Sequence, residues 1–218
     1  MVLLAMFGIA ITNTLMMTTH ATLRALRGLA ISRTIVSTGS LLREELGSSD
    51  TGEVRLVGPA AVAFGRTVGS ASICEARGSV VRLPASEWSG IRPPDAGRDD
   101  AVLLSDPSTG RWSVVPIVAT GSSRCPDGSD ALQLSLGADA GAAAFVRVTE
   151  PVKLRAYLSG GSGWWGLAPA SGLSPIQPFA GPLDPSPPAL VLTSAELTLP
   201  FRPLAGADAV IRIPLGPP

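Results

Sequence analysis

The feature that most restricts the fold of this chain is an apolar N-terminal run that continues into a helical pattern. Residues 1–17 carry no charged side chain, and their only polar residues are Thr12, Asn13 and Thr14. As a helix this run would be about 25 Å long, slightly short of the roughly 30 Å hydrocarbon core of a bilayer. No basic residue precedes the run and no small-residue cleavage site follows it cleanly, which argues against a cleaved signal peptide.

The helical pattern extends well beyond the apolar run. Apolar residues return three and four positions apart as far as Leu46, while arginines and glutamates occupy other faces. The segment 47–52, rich in glycine and serine, is a clear terminator. We therefore predict a membrane-spanning and assembly helix over residues 1–47, followed by a separate head domain over residues 53–218.

Few kinds of enzyme chemistry are open to this chain. His20 is the only histidine and Lys153 the only lysine, so no Ser–His or Cys–His pair and no histidine-containing metal site can form after residue 20. Carboxylate-only chemistry stays open, but no pair of acids stands out. The formal net charge is zero, which gives nucleic acid no electrostatic attraction. We therefore expect no enzyme activity, no cofactor, no metal and no nucleic-acid partner.

The remainder of the chain has the pattern of an antiparallel β domain. Short apolar or alternating runs are separated by glycine, proline and aspartate turns. Together with the N-terminal helix, these runs predict an α+β fold. The proline-rich piece 169–188 is expected to be a surface loop, in preference to a polyproline ligand. The predicted strands are 54–57, 71–74, 79–83, 101–104, 113–118, 131–136, 144–148, 152–158, 164–167, 189–192, 196–201 and 209–213.

The head contains two cysteines, Cys74 and Cys125. An even number in an exported domain favours one disulfide, which would close a loop of about 50 residues and contribute roughly 4 kcal/mol in the chain-entropy model. Two separate buried thiols are the alternative. No CxxC spacing or neighbouring histidine or lysine points to redox chemistry.

Aromatic and acidic residues supply the other candidate features. Trp164 and Trp165 are adjacent, so on a strand they face opposite sides; one should be core and the other can serve an interface or a sugar. Two acidic clusters, at residues 95–100 and 127–130, are expected to be solvated turns in preference to calcium sites.

Two parts of the sequence resemble type IV pilins and pseudopilins. The run VLLAMFGIAITNTL at the start is similar to the interior of their N-terminal helix. The stretch 152–167, with VKLRAYLSGG followed by WWGL, resembles the hairpin of J-type minor pseudopilins and PilW-like minor pilins, and the stretches 178–183 and 209–215 resemble their final strands. The Gly-Phe junction and the glutamate of that family are absent and would lie upstream of Met1.

The resemblance implies a structural role and a location. The chain would be a minor pilin or pseudopilin of a bacterial type II secretion or type IV pilus system. Its helix would be held in inner-membrane lipid, single-pass with a periplasmic head, and would then assemble with other pilin or pseudopilin subunits into a filament. The residues that would form the membrane and assembly surface are Val2, Leu3, Leu4, Phe7, Ile9, Ile11 and Leu15. The alternative is a membrane-anchored exported binding module, with Trp164 or Trp165 as a platform for carbohydrate.

Overall fold

The computed structural model describes the backbone of residues 2–46, 54–106, 110–170, 175–186, 189–203 and 208–215. Within these ranges it does not describe the side chains of residues 2–14, 24, 27, 31, 105 and 106. The described elements are one α-helix, α1 (Val2–Leu46), one short 3-10 turn (Ala85–Glu87), and the strands β1 (Arg55–Gly58), β2 (Ala61–Ser72), β3 (Glu75–Arg77), β4 (Val80–Pro84), β5 (Ser89–Gly90), β6 (Asp100–Asp106), β7 (Arg111–Arg124), β8 (Asp130–Leu136), β9 (Phe145–Ser159), β10 (Ser162–Pro169), β11 (Gln177–Leu183), β12 (Val191–Leu192), β13 (Glu196–Phe201) and β14 (Ala209–Pro214).

The strands form a large antiparallel sheet and a small one. The main path of the large sheet runs β1-β2-β9-β6-β7-β8-β4-β3, with β10, β11 and β5 branching from it, and the small sheet is β12-β13-β14. Strand β9 is the organising strand because it pairs with β2 along one edge and with β6 and then β10 along the other.

Pro151 lies inside β9, where the sequence suggested a break between two strands. On one edge β6 pairs with β9 only as far as Thr149, and β10 begins to pair at Val152. Pro151 therefore occupies the gap between these two partners, where the proline's missing N–H costs no ladder hydrogen bond. The two runs that the sequence separated are one continuous strand of 15 residues.

The apolar interior consists of two clusters that share β2 and β9. The first joins the end of α1 to the small sheet and to the β9-β10-β11 region, through residues such as Leu42, Leu154 and Ile213. The second lies among β4, β6, β7, β8 and the other half of β9, and includes Leu103 and Val148. The side chains of a strand alternate between its two faces, so one face of β9 supplies both clusters.

The predicted fold class, α+β with a pilin-like head, is wrong. More of the described residues lie in strands than in the helix, and the architecture is mainly β around a large antiparallel sheet. The helix is long, but little of it is buried against the sheets, so it does not form one half of an α+β core. Among its described side chains, only Thr38, Leu42 and Leu46, together with Gly39, are buried.

The predicted single-pass location in an inner membrane is also contradicted. In the part of the chain that the structure describes, no helix is long and apolar enough to cross a membrane. After Leu15 the apolar side chains of α1 are interrupted by Thr18, Thr19, His20 and Thr22, which lowers the mean hydropathy of the helix.

The proline-rich piece was expected to be a surface loop, but part of it forms β11. This strand pairs with β10 at the end of the branch, and Ala180 and Leu183 on it are buried. Pro178 and Pro182 are tolerated because β11 has no further strand partner among the described residues. Strand β2 was largely missed by the sequence pattern, which indicated only residues 71–74.

Candidate functional site

The most exposed feature of the described structure is the helix α1 before it reaches the head. From Leu15 to Arg33 every described side chain is exposed, and partial burial begins only at Thr34. At 1.5 Å per residue, the segment from Val2 to Arg33 is about 48 Å long. The head therefore leaves the described side chains of α1 from Leu15 to Arg33 uncovered.

Many of the exposed helical side chains are large and apolar. Leu26 is 57% exposed and lies in this exposed part of the helix. Large apolar side chains that are exposed together are typical of an interaction site in a folded protein, although on α1 Thr18, Thr19 and Thr22 lie between Leu15 and Leu23. The exposed large apolar residues of α1 are Leu15, Met16, Met17, Leu23, Leu26, Leu29, Val36 and Leu41.

Two different faces of α1 carry apolar residues. The residues that pack on the head, Ile35, Thr38, Leu42 and Leu46, recur three and four positions apart along one face. With 100° per residue, Leu15, Leu26 and Leu29 lie on roughly the opposite face. Packing on the head therefore leaves this second face, the outer face of α1, uncovered.

Several described hydroxyl groups of α1 donate hydrogen bonds to carbonyls of the same helix. Thr19 Oγ1 donates to the carbonyl of Leu15 at 2.7 Å, and Thr22 Oγ1 donates to that of Thr18 at 2.8 Å. Thr34 makes the same bond to Ala30 at 3.0 Å. These hydroxyls need no water, so burial of the helix against another apolar surface costs little in lost hydrogen bonds.

Of the predicted assembly residues, the structure places only Leu15 fully, and it is exposed. The backbone of Val2, Leu3, Leu4, Phe7, Ile9 and Ile11 is helical, but their side chains lie outside the described residues.

The adjacent tryptophans face opposite sides of β10. Trp165 is completely buried in the first apolar cluster, whereas Trp164 is partly exposed. Trp164 lies directly across from Tyr157 on β9, and its indole Nε1 donates to the carbonyl of Ser159 at 3.3 Å. Both aromatics line a cavity of about 140 Å³ together with Leu158 and Pro185.

The two cysteines form a disulfide between Cys74 and Cys125, 51 positions apart in sequence. Cys74 follows β2, and Cys125 follows β7 at the turn before β8. The bond ties the β2-β3 corner to the end of the long β7-β8 hairpin.

The acidic clusters differ from each other. Asp127 is an exposed turn residue that accepts hydrogen bonds from Ser129 Oγ and the Ser129 N–H, and these bonds lower the pKa of its carboxyl. Asp99 was expected to be a solvated turn residue too, but it is buried. Its two oxygens accept two 2.6 Å bonds from Arg92, and the Asp95 N–H donates to one of them.

A cluster of ion pairs surrounds Glu150 at the junction of the two apolar clusters. Glu150 is 1% exposed and stands on β9 directly across from Arg66 on β2. Its carboxylate accepts from Arg66 at 2.5 Å, from Arg98 at 2.8 Å and from Arg92 at 3.4 Å. Burial raises the pKa of Glu150, but the bonds from Arg98 and Arg66 outweigh it and leave that pKa below its usual value.

The end of α1 lies close to this cluster. Glu45 is half-buried there, and burial raises the pKa of its carboxyl even though the charge of Arg66 acts in the opposite direction. The end of the helix therefore contacts the head through the apolar side chains of Leu42 and Leu46, and the carboxyl of Glu45 lies close enough to Arg66 for their charges to interact.

Sequence reasoning missed the Glu150 cluster, although one signal for it was present. Val146, Val148, Val152 and Leu154 alternate on the buried face of β9, and Glu150 occupies the middle position of the same face. A charged residue in such a position needs a buried partner. The partners Arg66, Arg92 and Arg98 lie 52 to 84 positions away, so no local motif contains them.

Comparison with known proteins adds no relative. No family model matches the chain, and neither a curated protein nor a solved structure shows significant similarity to it.

Proposed function

We propose that this chain is a structural subunit of the minor pilin or pseudopilin kind, which assembles with other subunits through the outer face of α1. One observation carries the proposal: between Leu15 and Arg33 every described side chain of α1 is exposed, and many of these side chains are large and apolar. Burial of a leucine side chain contributes about 1.5–3 kcal/mol. A second helix would supply that burial by packing side chains into the gaps between these residues.

Two further observations support assembly. The hydroxyls of Thr19, Thr22 and Thr34 are already bonded inside the helix, so a partner helix can cover them. The β head is cross-linked by the Cys74–Cys125 disulfide, its second apolar cluster contains no helix residue, and the end of α1 stays packed in the first cluster, so the head can remain folded while the earlier turns of α1 bind other subunits. The resemblance of the N-terminal run to pilins agrees with this role.

The test is self-association of the full chain, measured by sedimentation equilibrium and by electron microscopy for filaments. Replacing Leu26 and Leu29 together by glutamine removes two leucines from the outer face and keeps good helix formers. Loss of about 3 kcal/mol or more should raise the dissociation constant at least about 100-fold.

The matched control replaces Val191 and Val210, exposed apolar residues of the head, by glutamine, and should associate like the wild type. A wild-type chain that stays monomeric at every concentration, or a helix variant that associates as the wild type does, would refute the proposal.

The alternative, a carbohydrate-binding module, has Trp164 in its favour. The cavity beside Trp164 is lined mostly by apolar residues, however, and among the described residues Tyr157 supplies its only hydroxyl. Sugars are bound through several hydrogen bonds as well as an aromatic face, so assembly is the better supported function.

A further inference from the structure

A second cavity opens beside the Glu150 cluster and has one charged side and one apolar side. Its volume is about 260 Å³. Arg66, Arg98 and Glu150 line the charged side, and Val152, Leu167 and Pro175 contribute to the apolar side. This combination fits a ligand that has a charged group attached to a hydrocarbon part.

The charged side of the cavity carries a surplus of positive charge. Arg92 is committed to Asp99 by two bonds of 2.6 Å and does not line the cavity. The two arginines that do line it share one carboxylate, Glu150, whose oxygens already accept bonds from three arginines. Glu45 acts on Arg66 electrostatically from the end of α1 but does not line the cavity.

The arginines retain unused donors. A guanidinium has five N–H donors, and Arg98 uses its Nε and Nη2 atoms on Glu150. Its side chain is 48% exposed, so the other terminal nitrogen can reach a ligand. The Arg66 side chain is 26% exposed, but its Nε, which has no hydrogen-bond partner among the described residues, is buried, so Arg98 supplies the more accessible donors.

We propose that this cavity binds a small organic carboxylate, held by Arg98 and Arg66, with its hydrocarbon part against Val152, Leu167 and Pro175. A planar carboxylate matches the two parallel N–H groups of a guanidinium. A ligand with a single negative charge also matches the surplus positive charge of the cavity wall. Glu150 on the same wall would repel a phosphate dianion more strongly than a carboxylate. The carboxylate belongs either to a free acid or to the C-terminus of a peptide.

Binding to the full-length chain is measured by isothermal titration calorimetry with defined probes. The probes are 4-methylpentanoate, its neutral amide, a short peptide that ends in leucine, the same peptide with an amidated C-terminus, and inorganic phosphate. We expect a carboxylate probe to bind and its amide to bind at least about tenfold more weakly, because the charge-assisted bonds are lost. Preference for the free acid or for the peptide identifies the source of the carboxylate.

Two cavity variants and one control variant separate binding from folding. Arg98→Gln removes the exposed guanidinium and should weaken carboxylate binding about tenfold, whereas Arg77→Gln removes an exposed arginine outside the cavity and should bind as the wild type does. Gln177→Trp places a large side chain at the cavity wall without changing the ion pairs, and should also abolish binding. The proposal is wrong if no carboxylate binds below about 10 mM, if phosphate binds as tightly, or if Arg98→Gln and Gln177→Trp bind as the wild type does.

Discussion

At the scale of single residues, Glu150 shows how a charge is kept inside an apolar sheet. Because Glu150 lies on the buried face of β9, its carboxylate loses hydration, which costs free energy. Three arginines offset that cost through direct bonds to the carboxylate. If the charge of Glu150 is removed, the three arginines stay close together, and Asp99, bonded to Arg92, is the acid that remains paired in this cluster.

Replacing Glu150 by glutamine should therefore lower the free energy of unfolding by about 3 kcal/mol at pH 7. The pKa of Glu150 is lowered in the folded state, so its contribution is complete above the ordinary glutamate pKa of about 4.3. The contribution is lost as the pH falls through the lower folded pKa. The stability gap between wild type and variant should therefore shrink at acidic pH.

Urea denaturation at neutral and acidic pH measures this gap, with Glu44→Gln as a control because Glu44 is exposed. An equal gap at both pH values would contradict the ion-pair account of Glu150.

At the scale of elements, the two parts of the helix α1 differ in burial: its end is packed on the head, and its earlier described side chains are exposed. Its last turns belong to the first apolar cluster, where Gly39 lies beside Ile211. In its earlier turns, the described side chains from Leu15 to Arg33 are exposed. Neighbouring residues near the end of the helix therefore differ sharply in what they contribute to stability.

Leu41 and Leu42 make this difference measurable. Leu42 is fully buried and Leu41 is 50% exposed, so Leu42→Ala should cost about 3 kcal/mol and Leu41→Ala less than about 0.5 kcal/mol. Denaturation gives both values, and hydrogen exchange should show faster exchange near residue 42 in the first variant only. Equal losses in the two variants would mean that α1 does not dock as described.

At the scale of the whole molecule, the head depends on one covalent link. The disulfide joins parts of the chain 51 positions apart, and its main effect is to restrict the unfolded chain. Strands β3 to β7 lie in the stretch between Cys74 and Cys125 that the disulfide closes into a loop.

Replacing both cysteines by serine should lower the free energy of unfolding by about 4 kcal/mol, which corresponds to roughly a 10 °C fall in Tm for a chain of this size. Thermal unfolding with and without dithiothreitol checks the cause. The reductant should shift the wild type toward the variant and leave the variant unchanged; a wild type that is insensitive to full reduction would contradict this account.

The sequence by itself determined the features that depend on neighbours along the chain. The period of apolar residues places the helix and its end at Leu46, and the alternation of residues with turn signals locates most strands, because helix and strand periods are local properties. The adjacency of Trp164 and Trp165 likewise predicts that one of them is buried.

Only the tertiary structure decided which local features come together. It joined two runs into β9 across Pro151, turned part of a proline-rich piece into β11, and brought Arg66, Arg92 and Arg98 around Glu150. It also showed that, among the described side chains of the 45-residue helix, only those near its end pack into a mainly β fold. Strand pairing and ion pairing link residues far apart in sequence, so their outcome depends on the whole packed chain and not on any one segment of it.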